Sequence, residues 1–133
     1  MAKLRNNMFF GAIDHENGFE ERGDGNLGIS VKILSDDLDT VAKTGRRTRL
    51  LRMAPGSETP EAHAHDYWEE IYILEGEMMV HDGTDGEKRV GIGAYAAREP
   101  GVMHGPVSSA NGCPMIDFCW YPDAEPSPCD EKI

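Results

Sequence analysis

His63-Ala64-His65-Asp66-Tyr67-Trp68-Glu69-Glu70-Ile71-Tyr72-Ile73-Leu74-Glu75-Gly76 is the most informative run in the chain. Its second half is rich in β-branched and aromatic residues and stops at Glu75-Gly76, so residues 69–74 read as a strand. Residues 77–81 run back before the turn signals Asp82-Gly83 and Asp85-Gly86, which makes the two segments a hairpin. The first half carries two of the chain's five histidines at a one-residue gap. Side chains two apart on a strand point the same way, so His63 and His65 can converge on one point. Glu69 shares their parity. An unbulged strand puts all three on one face with Ile71 and Ile73, while Glu70, Tyr72 and Leu74 face away; a bulge at Tyr67-Trp68 would exchange the two glutamates. A third histidine, His104, follows Pro100-Gly101 downstream. Imidazoles with a carboxylate suit a first-row divalent metal, and we read His63, His65, Glu69 and His104 as its ligands. Ile71 and Ile73 are the expected pocket lining beside them.

Outward from this run, turn signals recur about every eight to twelve residues and separate short apolar segments, an all-β pattern. Residues 27–34 alternate, with Ile29, Val31 and Ile33 on one face and Ser30 and Lys32 on the other. Residues 48–53, 88–92, 93–98, 104–108 and 114–121 continue the series, and residues 37–43 are the one helix-like stretch. At 133 residues the chain fits a single domain. We place an N-terminal extension at 1–26, a barrel at 27–121 and an acidic, proline-rich tail at 122–133. Many short antiparallel strands without a long helix favour a jelly-roll barrel.

Composition narrows the function. Against 24 acidic residues stand 13 basic ones, a net charge of -11, so nucleic acid is excluded as a partner and a small-molecule substrate is expected. The sequence shows neither a long apolar run nor a basic-then-apolar leader, which points away from membranes and toward the cytoplasm. Cys113, Cys119 and Cys129 show no CxxC spacing, so neither a disulfide framework nor a thiolate zinc knuckle is expected, and Cys113 and Cys119 read as core.

Histidine-x-histidine, a carboxylate and a downstream glycine, followed by Pro-Gly-x-x-His, together resemble the two motifs of the cupin superfamily. Here they span Gly56 to Gly76 and Gly93 to His104. The closer resemblance is to the ChrR-like cupins, through Gly93, Tyr95, Pro100, Gly101, His104, Pro106, Ser108, Gly112 and Cys113 in that order. It implies a cupin-type jelly-roll β-barrel with one divalent metal ion per chain. Two departures stand out: the gap from Gly56 to His63 is one residue longer than the commonest spacing, and no asparagine closes the second motif.

Three imidazoles and a carboxylate would close a tetrahedral zinc but leave positions open on iron, manganese or nickel. We favour Fe2+, with Zn2+, Mn2+ and Ni2+ as alternatives. The resemblance implies a dioxygenase cleaving a diketone or hydroxylated aromatic ketone. A Lewis-acid isomerase, cyclase or lyase is the alternative enzyme. A non-catalytic metal sensor is the alternative outside enzymes; in ChrR-like sensors the cupin follows a sigma-binding region, and residues 1–26 are too short for one. A homodimer is expected from the family.

Other conspicuous residues take ordinary readings. His15 and His81 read as solvent-facing, the methionines as core filler, and Trp68, Trp120 and Tyr95 as packing residues. Arg49, Arg52 and Arg98 pair with carboxylates or clamp a substrate anion. Tyr95, Arg52 and Asp117 are candidate proton-transfer groups by type alone, so no catalytic residue is assigned beyond the metal ligands.

Overall fold

A computed structural model describes residues 7–22, 28–59, 61–81 and 86–122. Among the described residues there are ten strands: β1 Glu20–Glu21, β2 Ile29–Asp36, β3 Arg46–Met53, β4 Ser57–Glu58, β5 Trp68–Ile73, β6 Glu77–Val80, β7 Lys88–Gly91, β8 Tyr95–Arg98, β9 Val107–Ser109 and β10 Cys113–Trp120. They form a six-stranded sheet in the order β1-β2-β3-β10-β5-β8 and a four-stranded sheet in the order β4-β9-β6-β7. Every pairing is antiparallel. This is the all-β jelly-roll barrel expected. The 1–26 stretch is more than an appendage, because β1 pairs with β2 at the sheet edge. The segments 82–85 and 123–133 lie outside the described residues.

The helix expected at 37–43 does not form. Asp39 Oδ1 accepts from the backbone N–H of Val41 and Ala42 at 2.9 and 2.8 Å, and Asp39 and Thr44 pair across the turn. An aspartate that satisfies the nearby N–H groups removes the reason for a helix, so the segment becomes the β2–β3 connection. The hairpin expected from residues 69–74 and 77–81 does not form, because β5 pairs with β10 and β8 and β6 with β7 and β9; the chain crosses from one sheet to the other at Gly76, where φ is +74° and a Cβ would lie 2.2 Å from the Gly112 carbonyl oxygen. Only glycine fits there.

Register divides the inner face of the large sheet into rows. Ile29, Met53 and Cys113 form one row, and Val31, Leu51, Met115 and Ile73 the next. Met78 and Val80 of β6 pack on them from the other sheet, and together these residues make the apolar core. In the next row along the same strands the character reverses. Arg49 faces Asp117, which neighbours Ile71 and then Ala96; beyond it lie Arg47, Cys119, Glu69 and Arg98. Among the described residues no helix is long and apolar enough to cross a membrane.

Candidate metal centre

The charged end of the barrel is where the histidines meet. His63 and His104 exchange two backbone hydrogen bonds of 2.9 Å, an isolated antiparallel pair that sets their rings 4.3 Å apart. His65 projects toward the same point, its ring 4.9 Å from that of His104. Glu69 completes the group: its Oε1 lies 3.5 Å from His65 Nε2 and 3.8 Å from His104 Nε2. One ligand atom each from His65, Glu69 and His104 falls within 4.8 Å of the others. His63 stands outside that tight set, 6.4 Å from His65 by ring centroids, and is the exposed member at the cavity wall.

The route to this convergence differs from the continuous strand expected. β5 begins at Trp68, and the chain bends at Asp66 and Tyr67, so parity does not carry from His63 through to Glu69. Within β5 it does hold: Glu69 is 5 % exposed on the inner face, whereas Glu70 pairs with Phe118 and Ala97 on the outer one. The bend is braced. Tyr67 stacks flat on His65 at 4.1 Å, and Tyr121 Oη donates to Asp66 Oδ1 at 2.5 Å while Lys43 pairs with the same carboxylate.

Both buried imidazoles are oriented from behind. His65 Nδ1–H donates to the Tyr67 carbonyl at 2.9 Å and His104 Nδ1–H to the Val102 carbonyl at 3.1 Å, which leaves the Nε2 lone pairs facing the centre. Those two Nε2 atoms are buried without a hydrogen-bond partner. Buried polar atoms are rarely left so, and two of them aimed at one carboxylate fit a divalent cation. Burial lowers the pKa of His104 and His63, which keeps those two imidazoles neutral, the form that binds metal.

Behind Glu69 lies a layer of buried charge. Arg49 Nε donates to both oxygens of Asp117, at 2.9 and 3.0 Å, and Arg49 Nη2 sits 3.8 Å from Glu69 Oε2. Cys119 Sγ is 3.7 Å from Glu69 and from Asp117, and Arg47 Nη2 reaches Cys119 at 3.6 Å and the Tyr67 hydroxyl at 3.3 Å. Burial pushes the Asp117 carboxyl up to about 6 against the pull of Arg49, and the Cys119 thiol up to about 12. Burial works in the same direction on Glu69, but His65, Asp117 and Arg49 outweigh it and hold the carboxyl well below its ordinary range. Glu69 is therefore an anion at neutral pH.

The centre opens on a cavity of about 270 Å³ between the sheets, lined by the three histidines, Glu69, Arg98 and Ile71 among others. Of the expected lining residues, Ile71 borders this cavity and Ile73 a neighbouring one. Arg49 and Arg98 belong to the site, whereas Arg52 points outward to the His15 and Glu16 carbonyls and over the Phe19 ring. His81 pairs with Glu87 at the surface, 3.6 Å away. The sequence reading gave no role to Tyr67 or Arg47 and took Cys119 as core, where it is buried but also touches Glu69. Arg47 and Cys119 had a signal, because they share odd parity with core residues of β3 and β10.

Comparison with known proteins agrees with this fold. No curated protein matches the sequence. Among solved structures, an acetylacetone dioxygenase from Acinetobacter johnsonii is 18% identical, with a TM-score of 0.66 over 92% of this chain and 83% of that one. The polyketide cyclase RemF from Streptomyces resistomycificus is 23% identical, with a TM-score of 0.64 over 85% and 80%. An RmlC-like cupin from Shewanella frigidimarina is 22% identical, at 0.63 over 85% and 91%. These likenesses show the cupin fold. The family model described as ChrR Cupin-like domain matches residues 22–120, most of the sequence, and the chain therefore belongs to the ChrR cupin-like family.

Proposed function

We propose that this protein is a metal-dependent cupin enzyme acting on a small oxygen-bearing organic substrate, and that its reaction is oxidative carbon–carbon cleavage of a diketone or hydroxylated aromatic ketone. One observation carries the reading: the unpartnered Nε2 atoms of His65 and His104, aimed with Glu69 at one point in a cavity wall. We assign His63, His65, Glu69 and His104 as ligands, His63 completing the set from the rim. A divalent iron held there would supply Lewis acidity and electron exchange with dioxygen.

The chain's own residues supply the rest. Glu69 brings fixed negative charge, and the Nδ1–H bonds of His65 and His104 hold the rings in one orientation. Ile71, Met78 and Met115 give the cavity apolar walls that exclude water from the reacting atoms. Arg49 and Arg98 place positive charge beside the carboxylate, an arrangement suited to an enolate oxygen. The shared fold with an acetylacetone dioxygenase supports a diketone, since acetylacetone is one. The two arginines equally favour a second reading, in which an enolate is handled without oxygen by Lewis-acid isomerisation, cyclisation or lyase chemistry.

Metal analysis of protein purified without added metal or chelator, followed by oxygen uptake with β-diketones and hydroxylated aromatic ketones, tests the proposal. Iron with substrate-dependent oxygen consumption supports it. Turnover without oxygen replaces it with the second reading, and tightly held zinc without turnover in either assay overturns the enzyme and leaves a sensor module. We also propose a homodimer through the outer face of the large sheet, where Tyr72, Tyr95 and Phe118 are exposed. A solution mass near 14.7 kDa, that of one chain, would refute it.

A further inference from the structure

The cavity at the metal centre is deep. Successive rows of the large sheet's inner face line it: Glu69 and Arg98, then Arg49 and Ile71, then Leu51 and Met115. Ile29 and Met53 of the following row make its floor. Inward-facing residues lie two apart on a strand, about 6.8 Å, so the walls run about 13 Å from the Glu69 row to the Leu51 row. Met78 of β6 and Val107 of β9 face them from the small sheet. The deeper walls and the floor belong to the barrel's apolar core, where Ile29, Leu51, Met53, Met78 and Met115 are each at most 7 % exposed. One hollow therefore joins the metal ligands to the core.

We propose that the substrate is a β-diketone bearing one alkyl chain of about four carbons, its two oxygens at the metal centre and its chain running inward between Leu51 and Met115 toward Met53. The change of lining along the hollow sets this polarity. Charged and imidazole groups surround the end that takes the oxygens, and aliphatic side chains and thioethers surround the other. Each methylene buried against those walls favours binding, whereas a charged or hydroxylated chain end would lose its hydrogen bonds to water there. Met53, Met78 and Met115 suit a flexible chain, because an unbranched thioether adapts to its partner. Volume sets the length: at about 30 Å³ per group, 270 Å³ holds about nine heavy-atom groups, and the two carbonyls with the carbon between them leave about four for a chain. The diketone head rests on the reaction proposed above; the apolar chamber does not, since Leu51, Met53 and Met115 lie away from the ligands.

Calorimetric titration of the full-length iron-loaded protein in the absence of oxygen tests this with acetylacetone and its homologues lengthened at one end. Affinity is expected to rise about fourfold with each added methylene, about 60-fold over three, and to level off beyond. Leu51→Phe narrows the passage and should flatten the rise, whereas Met53→Ala deepens the floor and should extend it to longer chains. A second measurement on the native protein needs neither variant nor metal: after chelator treatment, methyl NMR with butyl methyl ketone should show saturable shifts at Met53 and Met115, and acetone should leave both in place. Affinity that does not rise with chain length, or ketone shifts that spare both methionines, would overturn the proposal. Shifts at the methionines without binding of any diketone to the iron-loaded protein would overturn the diketone head, and with it the reaction, and leave the chamber as an apolar site.

Discussion

The two ends of the large sheet's inner face are built by the same strands and are both buried, yet they follow opposite rules. At one end Ile29, Leu51, Met53, Ile73 and Met115 stabilise the fold by removing apolar surface from water, about 25 cal/mol for each Å². At the other, Arg49, Glu69, Arg98 and Asp117 are each less than 13 % exposed as side chains, and desolvating such ions costs several kcal/mol apiece unless they are paired. Hydrophobic replacements of such pairs are often neutral or stabilising. A barrel needing only stability would continue its apolar rows to the histidines. The change of character one row from Leu51 marks where folding stops being the sole requirement.

The sharpest way to separate the ends is to remove a ligand. His65→Ala, His104→Ala and Glu69→Gln should each lower metal affinity by more than about 100-fold, the upper range for losing mere supporting groups, as read by calorimetric titration. Metal-free stability should fall by about 1 kcal/mol or more in the histidine variants, because each loses its Nδ1–H bond to the Tyr67 or Val102 carbonyl. Next in size, Arg49→Met strands the buried Asp117 and should cost about 3–5 kcal/mol in urea unfolding. Arg49→Met with Asp117→Leu should recover most of it. At the apolar end, Ile73→Val should cost about 0.5–1.5 kcal/mol and leave metal affinity unchanged. Smallest is Glu70→Gln on the outer face, within about 0.5 kcal/mol and with no effect on metal.

Acidity should separate the ends again. His63 and His104 have pKa values lowered by burial, so they are neutral at neutral pH and accept protons only below the ordinary histidine range. Protons compete with metal for the same nitrogens, and affinity should therefore be flat above that range and fall as pH drops through it. Calorimetric titrations across pH would show it; a fall toward alkaline pH would contradict the sign.

What was legible in the sequence follows the range of the interaction concerned. The strands β5 and β6 and the inward facing of Glu69 rest on period-two alternation and a glycine turn, both local, and appear in the structure, whereas the expected pairing of β5 with β6 does not, because their partners come from elsewhere in the chain. The segment 37–43 misled because Asp39 spends its side chain on its own turn, a competition that helix-like spacing does not reveal. The bend at Asp66-Tyr67 was hidden because it depends on Lys43 and Tyr121, far away in sequence. Cys119 and Asp117 reach Glu69 through the pairing of β10 with β5, and no local pattern states which strands are neighbours. Arg47 and Arg49 were closer to view, since they continue the inward parity of Leu51 and Met53.

The most direct test is the metal content of three proteins purified alike, without added metal or chelator: the native chain, Glu69→Gln and Glu70→Gln. The account predicts about one divalent ion per chain in the native protein and in Glu70→Gln, and a large loss in Glu69→Gln. Full metal content in Glu69→Gln, or its loss in Glu70→Gln alone, would contradict it.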